Sequence, residues 1–171
     1  MKQLQEKSSH SYVIEVEPKD ISFDPLAQQV QASLIEAGEP AAYSQVLTKR
    51  LYRLKGPLGK KEASKIAKEL LWDPIVEKVA IEDEQGLKKK TLKAGSFVDV
   101  WPKTGVTDPV GETVAKGIRD LGNLEKISIS TGTRYVFPKI QNKDFLKKFT
   151  EHYLANELIH DVIIRETNEI R

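Results

Sequence analysis

One pattern occurs twice in this chain, and that repetition limits its folds more than any other feature. Val98-Asp99-Val100-Trp101-Pro102-Lys103 alternates as a strand should, Gly105 breaks it, and Asp108-Pro109 opens a helical pattern that Gly122 closes. Asp at the N-cap accepts orphan amide hydrogens, and Pro at the first helical position has none to lose. Val110, Val114, Ile118 and Leu121 then form one apolar stripe at helical spacing. A glycine at Gly122 supplies the left-handed residue that ends such a helix. The same signals stand 84 residues earlier: Asp24-Pro25 precedes the stripe Leu26, Val30, Leu34 and Ala37, and Gly38 closes it. At that offset Val16, Pro18, Lys19, Asp24, Pro25, Val30 and Gly38 meet identical residues. Past the helices the offset becomes 83, so Thr48 and Tyr52 meet Thr131 and Tyr135. The sequence therefore predicts a diverged tandem duplication.

Each copy predicts β-α-β-α-β. In the first, strands are expected at Tyr12–Glu17, Val46–Leu54 and Lys78–Glu82, with helices at Pro25–Ala37 and Glu62–Leu71. In the second, strands are expected at Phe97–Trp101, Ile127–Phe137 and Asp161–Arg165, with helices at Pro109–Leu121 and Asp144–Leu154. The boundaries are residues 12–83 for the first repeat, 84–96 for a linker with Gly86, Lys88-Lys89-Lys90 and Gly95, and 97–167 for the second repeat. Residues before about Ser11 read as a loose tail. The fold class is α+β, ferredoxin-like in style, with the repeats joined as a pseudo-twofold internal dimer. A unit of roughly 85 residues buries too little surface to be robust alone, whereas two side by side cover each other.

Composition excludes several functions. With 27 basic and 25 acidic residues, the net charge of +2 gives no strong field for nucleic acid. No apolar run is long enough for a membrane span. The segment Met1–His10 is too polar for a signal peptide, and a cytoplasmic location is expected. With no cysteine there is no disulfide framework and no thiolate chemistry. His10, His152 and His160 share no ligand spacing, so no metal is expected, and none of the usual cofactor motifs occurs. Gly56-Pro57-Leu58-Gly59-Lys60-Lys61 is too short for a phosphate loop, and Lys61 stands where a hydroxyl would be needed, so it reads as a turn. His160 reads as a solvated residue and Lys88–Lys90 as a solvated linker. Trp101, with Phe97 and Asp99 on the strand face opposite Val98 and Val100, reads either as core or as an interface anchor. From the residues alone the chain is a non-catalytic interaction module.

Lys103-Thr104-Gly105-Val106-Thr107-Asp108-Pro109-Val110-Gly111, with Gly122 and then Thr131-Gly132-Thr133-Arg134-Tyr135, resembles the small S subunit (PurS) of phosphoribosylformylglycinamidine synthase. The first copy, with Arg50-Leu51-Tyr52 and Leu70-Leu71-Trp72-Asp73-Pro74, is similar to the looser pattern of large single-chain synthetases, whose N-terminal domain holds two such units. The resemblance covers residues 11 to 167. It implies a subunit without catalytic residues or cofactor that sits between a glutaminase and an ATP-dependent synthetase and supports ammonia transfer in purine biosynthesis. The family works as a dimer, so a tandem chain is expected to be monomeric alone. It also implies that Lys103, Gly105, Asp108, Pro109, Gly111, Gly122 and Tyr135, with Asp24, Pro25 and Tyr52 in the first copy, are structural or interface positions. Met1 favours an independent chain over a fragment of a large synthetase. The competing reading is a small-molecule sensor built on a ferredoxin-like pair; an RNA-binding sheet is disfavoured by the balanced charge.

Overall fold

The computed structural model describes residues 9–40, 45–84, 95–122, 126–140 and 142–166. The expected linker from 85 to 94, including Lys88–Lys90, and the first eight residues lie outside the described residues. The element order is β1 His10–Pro18, a 3-10 turn Ile21–Phe23, α1 Pro25–Glu36, β2 Leu47–Gly56, α2 Lys60–Ile66, β3 Glu77–Asp83, β4 Ser96–Pro102, α3 Pro109–Asp120, β5 Ser128–Phe137, α4 Lys143–Phe149 and β6 His160–Glu166. Both α2 and α4 continue into a wider π-type turn, Ala67–Leu71 and Thr150–Leu154. This is an α+β chain with one antiparallel sheet, ordered β3-β1-β2-β5-β4-β6.

The order reads the same from either edge, and the registers match at the sequence offsets. Val16 faces Arg50 and Val79, while Val100 faces Thr133 and Val162. At the centre β2 pairs with β5, where Tyr52 lies opposite Thr131 and Thr48 opposite Tyr135. Arg50 lies opposite Thr133, the residue 83 positions after it. In each half, the outer strand returns parallel to the central one with the first strand between them, the split arrangement of ferredoxin-like folds.

The helix starts follow from capping chemistry. Asp24 accepts from the Ala27 amide and Asp108 from the Gly111 amide, with Pro first in both helices. Gly38 and Gly122 close them at φ 95° and 89°, in the left-handed region that side chains avoid. The first turn departs from the expected stripe. Leu26 and Val110 are exposed, whereas Ala27 and Gly111 face inward. The capping carboxylate draws that turn close to the sheet, and a Cβ at Gly111 would stand 2.6 Å from Asp108 Oδ2. Only small residues fit there, so the apolar stripe turns inward at Val30 and Leu34 and at Val114 and Ile118, while Ala37, at the C-cap, is exposed.

Both cores cross the midpoint of the chain. Ala27, Val30 and Leu34 of α1 pack with Val98 and Val100 of β4, Tyr135 and Phe137 of β5, and Leu146 and Phe149 of α4. Conversely Ile118 of α3, flanked by Val114 and Leu121, packs with Ile14, Val16, Tyr52 and Leu54 and with Ile66 of α2. Each first helix thus covers strands from the opposite half. The T-shaped contact of Phe137 with Phe149, centroids 6.3 Å apart, finishes the first cluster.

No helix of the described residues enters the other face, which carries Val13, Leu51 and Trp101. Arg134, only 3% exposed, occupies its centre. Its Nε and Nη2 donate to the two Asp99 oxygens at 2.6 and 2.7 Å, and Nη1 donates to Glu15 Oε1 at 2.6 Å. The Phe97 ring lies under the guanidinium at 4.2 Å. Burial pulls the Arg134 pKa down, but the hydrogen bonds it donates to Asp99 and Glu15, with the charges of both acids, reverse this and raise it.

The crossed cores give an expected outcome. Leu34→Ala should cost about 2–5 kcal/mol in urea unfolding, as for other fully buried leucines. Its chemical-shift changes should appear at Phe137 and Phe149 as well as within α1. Changes confined to residues before 84 would contradict the packing.

Candidate functional site

The motif residues gather where β4 turns into α3; Gly111 is buried, Lys103 and Asp108 are half-buried, and Gly105 and Pro109 are exposed. Asp108 does more than cap. Oδ1 accepts from Gly111 N at 2.8 Å and from Thr131 Oγ1 at 2.7 Å, while Oδ2 accepts from Thr131 N at 2.6 Å. One carboxylate therefore pins the start of α3 to β5. Asp24 does the same for α1 and β2: it accepts from Ala27 N at 2.9 Å, from Thr48 N at 3.0 Å and from Thr48 Oγ1 at 2.8 Å. Hydrogen bonds to an ionised acceptor are about twice as strong as neutral ones. Sequence reasoning found the two caps but missed the two threonines as their partners. The signal was present, because Thr48 and Thr131 recur at the 83-residue offset.

Lys103 has a separate task. Its Nζ donates to the Glu157 carbonyl at 2.5 Å, and its backbone amide donates to the Ile159 carbonyl at 2.9 Å. Lys19 repeats this with the carbonyls of Pro74, at 2.6 Å, and Ile75, at 3.1 Å. Each lysine fixes a reverse turn, and each turn presents a bare aliphatic side chain: Ile75 is 80% exposed and Leu158 84%. Phe23 stands exposed in the loop after β1. Gly105 takes φ 89° with open space where a Cβ would point, so it serves the turn rather than a close approach. Since β1 and β4 run antiparallel, the two tips lie at opposite ends of the sheet.

The arrangement supplies rigidity and contact surface. The oxygens of Asp24 and Asp108 are already occupied as acceptors. His160 Nδ1 accepts from the Asn156 amide at 3.1 Å, so this histidine shapes a turn as well as meeting solvent. The Glu62 carboxylate bonds the Gly59 amide at 2.9 Å, filling the helix start where a phosphate would have to sit. Among the described residues no group of three His, Cys, Asp or Glu could hold a metal ion. Trp101 is 2% exposed, with the Arg53 guanidinium 4.0 Å above its ring, and so belongs to the packed face of the sheet. No described helix is long and apolar enough to cross a membrane.

Tyr52 and Tyr135 lie on the central pair of strands, buried in the two clusters. Burial raises the pKa of both phenols above 10.0; at Tyr52 the Arg50 charge opposes the rise and Glu77 adds to it. Below that value, folded and unfolded chains both carry the protons and the tyrosines cost nothing. Above it the unfolded chain ionises first, so stability should fall as pH rises past about 10. Denaturant midpoints measured across that range should flatten in the double variant Tyr52→Phe, Tyr135→Phe.

The aspartate clamp is tested by a pair of variants. Asp108→Ala should lose about 0.5–2 kcal/mol for the cap, and about 1–3 kcal/mol more because the Thr131 amide loses its acceptor. Asp108→Asn keeps an acceptor oxygen and should lose less. Equal losses in thermal or urea unfolding would show that the Thr131 bonds contribute nothing.

Residues 96–168 match the family model PurS, described as phosphoribosylformylglycinamidine (FGAM) synthase. The match begins with the first residue of β4 and includes every element through β6, the aspartate clamp and the Lys103 turn with it. No curated protein matches the chain. The second half of this chain is thus similar to PurS, which supports a role in FGAM synthase and purine biosynthesis.

Proposed function

We propose that the chain is a non-catalytic assembly subunit of an FGAM synthase complex, bridging its glutaminase and synthetase subunits and supporting ammonia transfer between them. The observation that carries this reading is the PurS match of residues 96–168, on a half whose registers and clamps recur in residues 12–83. In this reading the two halves are PurS-like repeats, joined by residues 84–96 and related by a pseudo-twofold axis through the Arg50–Thr133 pair. Linking them in one chain raises their effective concentration, and the crossed helices make each repeat depend on the other. The tandem chain is then a dimer made covalent. The tips at Ile75 and Leu158 are the natural contacts, since large exposed aliphatic side chains at rigid turns suit interface cores. Tips at opposite ends suit a subunit that holds two partners apart.

Two measurements test the reading. The purified chain should be a 19.3 kDa monomer by light scattering across a dilution series, because its self-complementary edge is already satisfied at β2–β5. A mass of twice that value would mean that each repeat seeks its partner in another chain. The chain alone should neither hydrolyse glutamine nor consume ATP. Added to cognate glutaminase and synthetase, it should raise the glutamine-dependent formation of the amidine far more than the reaction fed with free ammonia, since dissolved ammonia bypasses delivery. Leu158→Asp should reduce that gain without unfolding the chain, the side chain being exposed. Equal stimulation with both nitrogen donors would remove the bridging role.

A further inference from the structure

A cleft of about 500 Å³ opens on the helix-free face, at the end of the sheet where β2 and β4 finish and β5 and β6 begin. That volume falls within the range of small-molecule sites. Arg53 and Lys55 of β2 line one side, Ser128 and Ser130 of β5 lie between, and Trp101 with Lys103 of β4 and its following loop line the other. The loop wall is fixed, because Lys103 is bonded to the Glu157 carbonyl and Asp108 to Thr131. The Trp101 ring lies against Gly132, where a Cβ would come within 2.7 Å. Two acidic groups line the cleft as well. Asp108 is occupied by its three hydrogen bonds, and Asp161 stands exposed at the start of β6.

The balance of donors and acceptors is uneven. The indole N–H of Trp101 and the Nε of Arg53 are both buried without a hydrogen-bond acceptor, Glu84 standing 3.5 Å from Arg53 Nε as an ion pair only. A buried donor left unmatched is destabilising, so an acceptor arriving there recovers that loss. Lys55 is exposed at the rim, and the Ser130 hydroxyl adds a donor, whereas that of Ser128 already donates to the Lys55 carbonyl at 3.4 Å. Two cations, Arg53 and Lys55, and two neutral donors, the Trp101 indole and Ser130, suit a dianion with three terminal oxygens, a phosphate monoester, better than a singly charged carboxylate.

The corresponding place in the first half is already filled. At the same offsets Glu17 replaces Trp101, Lys49 replaces Gly132, and Val136 and Pro138 replace Arg53 and Lys55. There Lys49 and Glu17 close on each other at 2.7 Å. We propose that this cleft is a binding site for a small phosphate monoester, one per chain, assembled from β2 of the first half and β4–β5 of the second. The site stands apart from the bridging role and does not depend on it.

Trp101 makes the site its own reporter. In full-length chain carrying Trp72→Phe, which leaves Trp101 as the single tryptophan, ribose 5-phosphate should change the indole fluorescence saturably at one equivalent per chain. Glutamate at equal concentration should not. Lys55→Glu removes an exposed cation without touching the core, and should weaken the effect about tenfold or more. Lys143→Glu, on α4 and outside the cleft, should leave it unchanged, with circular dichroism melts certifying that all variants fold. An unsaturable response, equal binding by Lys55→Glu, or glutamate binding as tightly as the sugar phosphate would overturn the proposal.

Discussion

The antiparallel pairing of β2 with β5 is the contact on which the molecule depends. It turns two three-stranded sheets into one of six strands, and places a single arginine where acids from both halves reach it. Glu15 and Asp99 stand 84 residues apart, at matching places in the two halves of the sheet, and both grip Arg134, whose counterpart 83 residues earlier is Leu51. A buried charge gains only when it is paired and its hydrogen bonds are filled. Here three of its donor nitrogens are filled and an aromatic ring lies below. Removing either acid would leave an incompletely matched cation in the sheet, so the clamp specifies this pairing over slipped ones.

The helices reinforce that junction by crossing it. Because α1 completes a core built mostly from later residues, and α3 one built mostly from earlier residues, neither half owns a closed hydrophobic cluster. Stability, assembly and any mechanical coupling between the tips at Ile75 and Leu158 therefore run through common packing. The proposed bridging role would gain from that construction, since close-packed interiors transmit displacement instead of absorbing it.

The two halves share a frame and differ on one face. The aspartate–threonine clamps and the lysine-held turns recur almost atom for atom. The helix-free face does not: a Glu17–Lys49 ion pair on one side corresponds to Trp101 over Gly132 on the other. The clamps and turns match between the halves, while buried positions of the helix-free face such as Trp101 and Arg134 do not, and that asymmetry gives the cleft its one-sided donors.

Local signals carried much of this into the sequence. Asp-Pro starts, glycine stops and alternating strands need only neighbouring residues to act, so the ten strands and helices were legible, most of them to within two residues, as were the roles of Asp24, Asp108, Gly38 and Gly122. The stripe at Leu26 and Val110 was misjudged because helical periodicity does not register how closely a capped first turn approaches a strand. The partners of the aspartates, the acids around Arg134 and the crossing of α1 and α3 were illegible for a different reason. They join residues from 23 to 119 positions apart, and which distant residues meet is set by strand order and register. The sequence by itself determined the elements, because caps, stops and alternation act between neighbours; the tertiary structure alone decided that the halves share their cores, because burial is settled by the packing of the whole sheet.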